Sequence, residues 1–252
     1  MKNLQREINK FDKEKISRIK KISKDTNFKK ISDKFLKHGA KKKYEYNFDW
    51  NGIPIIQYPQ DIIALHEIIW KTRPDLIIET GFAHGGSSIF FASMLKLLEY
   101  EYGKKGKVLT IDIDFRKHNL NRIKKLKLYK NIKLLKGSST DHKIFNTAKD
   151  ISKKFKRILV ILDSDHSTNH VYKELEMYSK LVTKNSYCVV FDTGINFWSP
   201  KKITKKIYNS NNNPHKAVIK FMKNNNNFTI DEDIHKKLLI TSCRDGYLKK
   251  IK

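Results

Sequence analysis

Apolar positions recur every three to five residues through the start of the chain: Leu4, Ile8, Phe11, Ile16, Ile19 and Ile22, then Phe28, Ile31 and Phe35. That spacing predicts amphipathic helices. They form a lysine-rich extension, residues 1–43, with "HGAKKK" (38–43) as the hinge into a main domain, 44–252. From Asp49 the texture changes. "PQDIIALHEIIWKTRP" predicts a helix that starts near Pro59 and stops before Pro74. Short apolar runs follow, at 75–80, 107–112, 131–136, 157–163 and 187–192, separated by helical patterns around 86–100, 116–127, 141–153 and 167–180. Strands that are apolar throughout are buried on both faces, so they predict a mostly parallel sheet with helices on both sides, an α/β fold. After these, "KLLITSC", a turn at "RDG" and "YLKKI" read as an antiparallel hairpin on the sheet edge.

Composition narrows the picture without changing it. The chain has 252 residues, with 14 Phe, 11 Tyr and 3 Trp, enough for a real core. Cys188 and Cys243 lack metal spacing, and Cys188 sits in an apolar run where a reduced core thiol is expected. No stretch resembles a signal peptide or approaches the ~18 apolar residues of a membrane helix. A cytoplasmic location follows as the default. The net charge of +27 invites a nucleic-acid reading. Only seven of the 53 basic residues are Arg, however, and the "NSNNNP" and "KNNNNF" stretches point to a biased genome writing solvated surfaces. The first 43 residues alone hold 16 basic and five acidic residues. Their helices are expected to dock, to join copies into a homo-oligomer, or to lie on a membrane surface.

In open parallel sheets, ligands bind beyond the carboxyl ends of the strands. The first strand closes on "ETGFAHGGSS", a glycine turn at a helix start whose amides can face a carboxylate or phosphate. The second closes on Asp112, placed to accept ribose hydroxyls. The third leads into "GSSTD", which suits either an adenine edge or a helix cap. The fourth delivers Asp163, Asp165 and His166, and the fifth Asp192 and Thr193. Asp163, Asp165 and Asp192 are placed to gather around a hard divalent cation. His166 and His170 have the i, i+4 spacing of a zinc pair, but the glutamate of an H-E-x-x-H site is absent.

"PDLIIETGFAHGGSSIFFASML", "GKVLTIDID", "KGSSTD", "VILDSDHSTNHVYKELEMYSKLVTKNSYCVVFDT" and "GYLKK", with "DWNGIPIIQYPQD" upstream, resemble the cephalosporin hydroxylase family. The resemblance runs in order from about 48 to 250 and leaves out the lysine-rich extension. It implies the Rossmann-like class I fold of S-adenosylmethionine-dependent methyltransferases, a family that includes rhamnosyl O-methyltransferases. By resemblance, Glu79, Gly81, Ala83, Gly85 and Ser87 wrap the methionine end of S-adenosylmethionine. Asp112 takes its ribose, and Ser139 and Thr140 its adenine side. Asp163 and Asp192 match Mg²⁺-holding positions of related catechol O-methyltransferase-like enzymes, with His166 where those carry a catalytic lysine. One departure stands out: the family's Glu-Asp-Thr after the fifth strand is here Phe191-Asp192-Thr193. Asp165 is a candidate to compensate.

These readings converge on O-methyl transfer to a hydroxyl of a sugar, glycan or similar polyol, with Asp163 and His166 as catalytic residues. "KKITKKIYNSNNNPHK" (201–216) is expected to cover the acceptor. Two rivals stand beside it. An Fe(II) hydroxylase, as the family's name suggests, would need two histidines and a carboxylate on one face. A non-catalytic cofactor-binding or RNA-binding scaffold would use the lysines and would bind with steep salt dependence.

Overall fold

In a computed structural model, which describes residues 2–198 and 208–252, two helices precede the sheet: α1 (Lys2–Lys24) and α2 (Thr26–Lys42). Asp25 separates them and caps α2, its carboxylate accepting the Phe28 N–H at 2.8 Å. Leu36 of α2 is buried against Tyr58 and Trp198, which fastens the extension to the main body. Leu4, Ile8 and Phe11, a single stripe on the free half of α1, stay exposed. Among the described residues no helix is long and apolar enough to cross a membrane.

A short hairpin follows, β1 (Asp49–Trp50) and β2 (Ile53–Pro54), closed by Asn51 and Gly52 with φ of +49° and +73°. Helix α3 (Pro59–Thr72) then leads into the sheet. Its parallel part alternates strictly with helices: β3 (Leu76–Thr80), α4 (Gly86–Tyr102), β4 (Lys107–Asp112), α5 (Lys117–Ile123), β5 (Ile132–Lys136), α6 (His142–Ser152), β6 (Ile158–Leu162), α7 (Thr168–Tyr178) and β7 (Tyr187–Val190). After α8 (Ile195–Trp198) and α9 (Pro214–Lys223) come β8 (Phe228–Ile230), α10 (Glu232–Leu238) and β9 (Tyr247–Lys250). The strand order is β5-β4-β3-β6-β7-β9-β8, parallel as far as β7, with β9 antiparallel to both neighbours.

Alternating residues of the same strands feed two separate cores. Ile77, Leu159, Ile161 and Val189 pack under α3 and α4. Leu76, Ile78, Val160 and Leu162 pack under α7 and α9 on the other face. Each such side chain contributes ~1.5–3 kcal/mol on leaving water. Both cysteines are buried free thiols.

The sheet edge differs from the pattern-based expectation. "KLLITSC" is not a strand: it holds the end of α10 and a loop, and Leu239 has φ +56°. Thr241 and Ser242 are tied instead to the buried carboxylate of Asp61 on α3. The outer partner of β9 is the three-residue β8, with Thr229 paired to Lys249.

Candidate functional site

Strand β3 is flanked by β4 on one side and β6 on the other, so the chain reverses its direction of winding between β3 and β6. That switch point opens a crevice at the carboxyl ends. Backbones meet there at close range. Gly81 has φ +93°, and a Cβ on it would stand 1.9 Å from the carbonyl oxygen of Asp163. A Cβ on Gly86, the first residue of α4, would lie 2.1 Å from the Pro54 carbonyl oxygen. Only glycine lets the turn after β3 fit between the hairpin arm and the loop after β6.

The turn is braced from beneath. Asp112 Oδ2 accepts the Phe82 N–H at 2.7 Å, and its Oδ1 accepts the Asp114 N–H at 2.9 Å. Glu79 is buried, and its carboxylate takes the hydroxyls of Ser87, Ser88 and Thr110. Burial lifts its pKa to about 7 against the lowering effect of those hydroxyls. The cleft above is lined by Pro54, Gln57, Gly81, Ala83, His84, Ser87 and Asp163, among others. Glu79 does not line it. Its carboxylate anchors the start of α4 from below, and Gly85 supplies the left-handed residue before that helix.

At the other end of the cleft, three side chains converge. Asp163, His166 and Asp192 each offer one donor atom, all within 4.8 Å of one another. His166 Nε2 is 3.1 Å from Asp192 Oδ2. Gln57 Nε2 donates to Asp163 Oδ2 at 2.8 Å. Burial pushes the Asp163 pKa well above its ordinary value, and the charges of Asp192, Glu79 and Glu174 push the same way. A carboxylate so disfavoured gains from a bound cation. Two carboxylates and an imidazole on a half-buried floor suit a divalent ion that keeps some of its waters.

Asp165 stands outside this group. Its Oδ1 accepts the Ser167 N–H at 2.8 Å, and its Oδ2 accepts the Tyr208 hydroxyl at 2.7 Å. Those hydrogen bonds outweigh burial and lower its pKa. It organises the loop before α7, and His166 completes the cluster in its place. Phe191 is buried in the core under α3 and α4, so nothing at position 191 faces the cluster. The two histidines also part company. His170 Nε2 approaches Ser139 Oγ at 3.0 Å, away from Asp192. The arrangement is therefore one histidine with two aspartates, unlike the donor set of a zinc pair or of the Fe(II) oxygenase reading.

On the side of β5, Asp141 caps α6 by accepting the Lys143 and Ile144 N–H groups, so "GSSTD" is a cap at its last residue. Ser139 is buried; Thr140 Oγ1 lies 3.1 Å from Ser138 Oγ. Two contributors escaped the sequence reading. Gln57 precedes α3 and carries no local signal. Glu45 is raised in pKa by burial, with the charge of Asp192 adding to it. Of the stretch expected over the acceptor, 201–207 lie outside the described residues. Tyr208 packs edge-on to His166, ring centroids 5.5 Å apart, and Asn212 Oδ1 accepts the Thr168 N–H that opens α7.

Sheet order, glycine turn and strand-end acids together define a Rossmann-like methyltransferase fold. The chain belongs to the Rhamnosyl O-methyltransferase/CmcI family, whose model matches residues 42–251. It is 30% identical over 161 residues to a rhamnosyl O-methyltransferase of Mycobacterium tuberculosis (strain ATCC 25618 / H37Rv), covering 62% of each chain. It thus spans less than two thirds of the length of that curated relative. An apo structure of CmcI superposes with a TM-score of 0.58 at 18% identity, covering 82% of this chain and 77% of the other. A CmcI structure with Mg and SAM gives 0.55 at 18% identity, covering 82% and 78%.

Proposed function

We propose that this chain methylates a hydroxyl of a sugar or similar polyol, using S-adenosylmethionine and a divalent cation, Mg²⁺ by the hardness of the two carboxylates that would hold it. The observation that carries this is a single contact: the cofactor turn and the cation cluster meet where Gly81 abuts the Asp163 carbonyl. The relatives' name, rhamnosyl O-methyltransferase, and the Mg and SAM of a CmcI structure support the same reading.

The turn 81–87 receives the methionine end, with its backbone held by Asp112 and its helix start by Glu79. Asp112 is the acid nearest a ribose, and Ser139 and Thr140 border the adenine side. Asp163 and Asp192 would hold the cation, which when bound would make an acceptor hydroxyl easier to deprotonate, with His166 beside them left free to act as a base. Gln57 keeps Asp163 aimed at the cluster. His166 takes the acceptor proton at Nε2, a role imidazole suits near neutral pH, and Asp192 faces the resulting charge. Holding the acceptor oxygen in line with the transferred methyl is worth ~7–11 kcal/mol of the barrier.

Calorimetric titration of S-adenosylmethionine and its demethylated product, with and without Mg²⁺, tests the reading. Wild type should bind both, and Asp112→Ala should lose at least ~10-fold in affinity, as when a bidentate hydrogen-bonded acid is removed. Absence of binding by the wild type under every condition overturns it.

A further inference from the structure

We propose that His170, Glu174 and Tyr178 form a positioning ladder on α7 that couples cofactor binding to cation binding. The proposal rests on the site assignment above and adds residues that touch neither ligand. The three lie at i, i+4 and i+8, one face of the helix. Glu174 and Tyr178 are fully buried.

Two loops hang on this face. Ser139 belongs to the turn after β5, on the adenine side; Ser164 follows Asp163 in the loop after β6, on the cation side. His170 Nε2 is 3.0 Å from Ser139 Oγ and 3.2 Å from Ser164 Oγ. Ser164 Oγ donates to Glu174 Oε1 at 2.7 Å, and His170 Nε2 lies 3.5 Å from the same oxygen. Tyr178 donates its hydroxyl to the Ser139 carbonyl at 2.9 Å. Because Ser164 spends its proton on Glu174, its lone pairs face His170, which assigns the hydrogen to Nε2.

The sheet itself does not join these loops. Strands β5 and β6 are separated by β4 and β3, yet hydroxyls from the loops after both meet at one imidazole nitrogen. The arrangement is not explained by packing. Glu174 Oε2 has no hydrogen-bond partner, and burying a carboxyl with a bare oxygen is unfavourable. A leucine there would cover β6 equally well. It could not hold Ser164, and with it the backbone beside Asp163, in register with the adenine-side turn. Ordering either loop therefore orders the other, so the first ligand bound lowers the entropy cost of the second.

The test measures affinity for S-adenosylhomocysteine with and without Mg²⁺ by calorimetry, on wild type, His170→Ala, His170→Gln and Ser164→Ala. Wild type should bind the nucleoside at least ~5-fold more tightly when Mg²⁺ is present. In His170→Ala and Ser164→Ala that ratio should fall to near one while each ligand still binds singly. His170→Gln, which keeps a donor of similar reach, should recover part of it. Should His170→Ala not fold, Ser164→Ala alone decides, since it removes one hydroxyl. A wild-type ratio of one, or an unchanged ratio in both alanine variants, overturns the coupling. Failure of wild type to bind S-adenosylhomocysteine at all overturns the cofactor assignment instead.

Discussion

His166 Nε2 stands 3.1 Å from Asp192 Oδ2, although the two residues follow different strands, β6 and β7. Parallel neighbours end side by side, so residues just past each strand share a floor. Asp163 completes that floor, and Asp165, two residues on, is turned to Tyr208. Binding of Mn²⁺, followed by electron paramagnetic resonance, should therefore weaken at least ~10-fold in Asp163→Asn and Asp192→Asn. Asp165→Asn should stay within about twofold of wild type and lose only ~1 kcal/mol of stability. Equal losses at Asp165 and Asp192 would sink the proposed donor set.

Glu79 gives the fold a signature in pH. The folded chain holds its proton up to pH about 7, whereas the unfolded chain releases it near the ordinary value of 4.5. Below 4.5 both states are protonated and nothing is lost. As pH rises from 4.5 to 7 the unfolded state gains ionisation that the folded state forgoes, so stability falls by about 3 kcal/mol and then levels off. Glu79→Gln removes this contribution. Urea unfolding of both proteins at pH 5 and pH 8 should show the wild type losing that much relative to the variant. Parallel pH dependences would contradict it.

Gly81→Ala should be among the most damaging single methyl additions in the chain. Its φ of +93° strains any side chain, and the new Cβ would overlap a backbone oxygen that cannot rotate away. A loss of ~2–3 kcal/mol or more is expected in urea denaturation, with cofactor affinity falling as the turn parts from Asp163. A variant as stable as wild type would show that the two loops are not in contact in solution.

Asp61 should prove structural. Its buried carboxylate accepts from Thr241, from both the N–H and hydroxyl of Ser242, and from the Tyr247 hydroxyl at 2.7 Å. Asp61→Ala strands those donors in the core, and a destabilisation of ~3 kcal/mol or more should appear in chemical denaturation. A change under ~1 kcal/mol would mean that water reaches the network.

The parallel half of the sheet is legible in the chain because burial on both faces writes uninterrupted apolar runs such as "ILVIL". Reading the residue after each run singles out Asp112, Asp163, His166 and Asp192. Asp165 was equally eligible, and only the direction of its side chain sets it apart. Gln57 lies 106 residues before the carboxylate it holds, a pairing no local pattern encodes. The edge misleads for a different reason. "KLLITSC" has a strand's composition but is captured by Asp61, while β8 hides behind "NNNN" and is three residues long. The arm at 49–54 did carry a signal, the Asn51-Gly52 pair of a tight hairpin turn.

Strand β9 lies between β7 and β8, so residues 247–250 must leave the ribosome before the sheet can close. The strands that bear the cleft are all available once residue 190 has emerged. A growing chain therefore passes through a stage in which the part that bears the cleft can assemble while Tyr187–Val190 form an open apolar edge. That edge would pair readily with a neighbouring nascent copy. Residues 191–246 are thus synthesised while that edge stands unpaired, the interval in which chaperone cover would matter most.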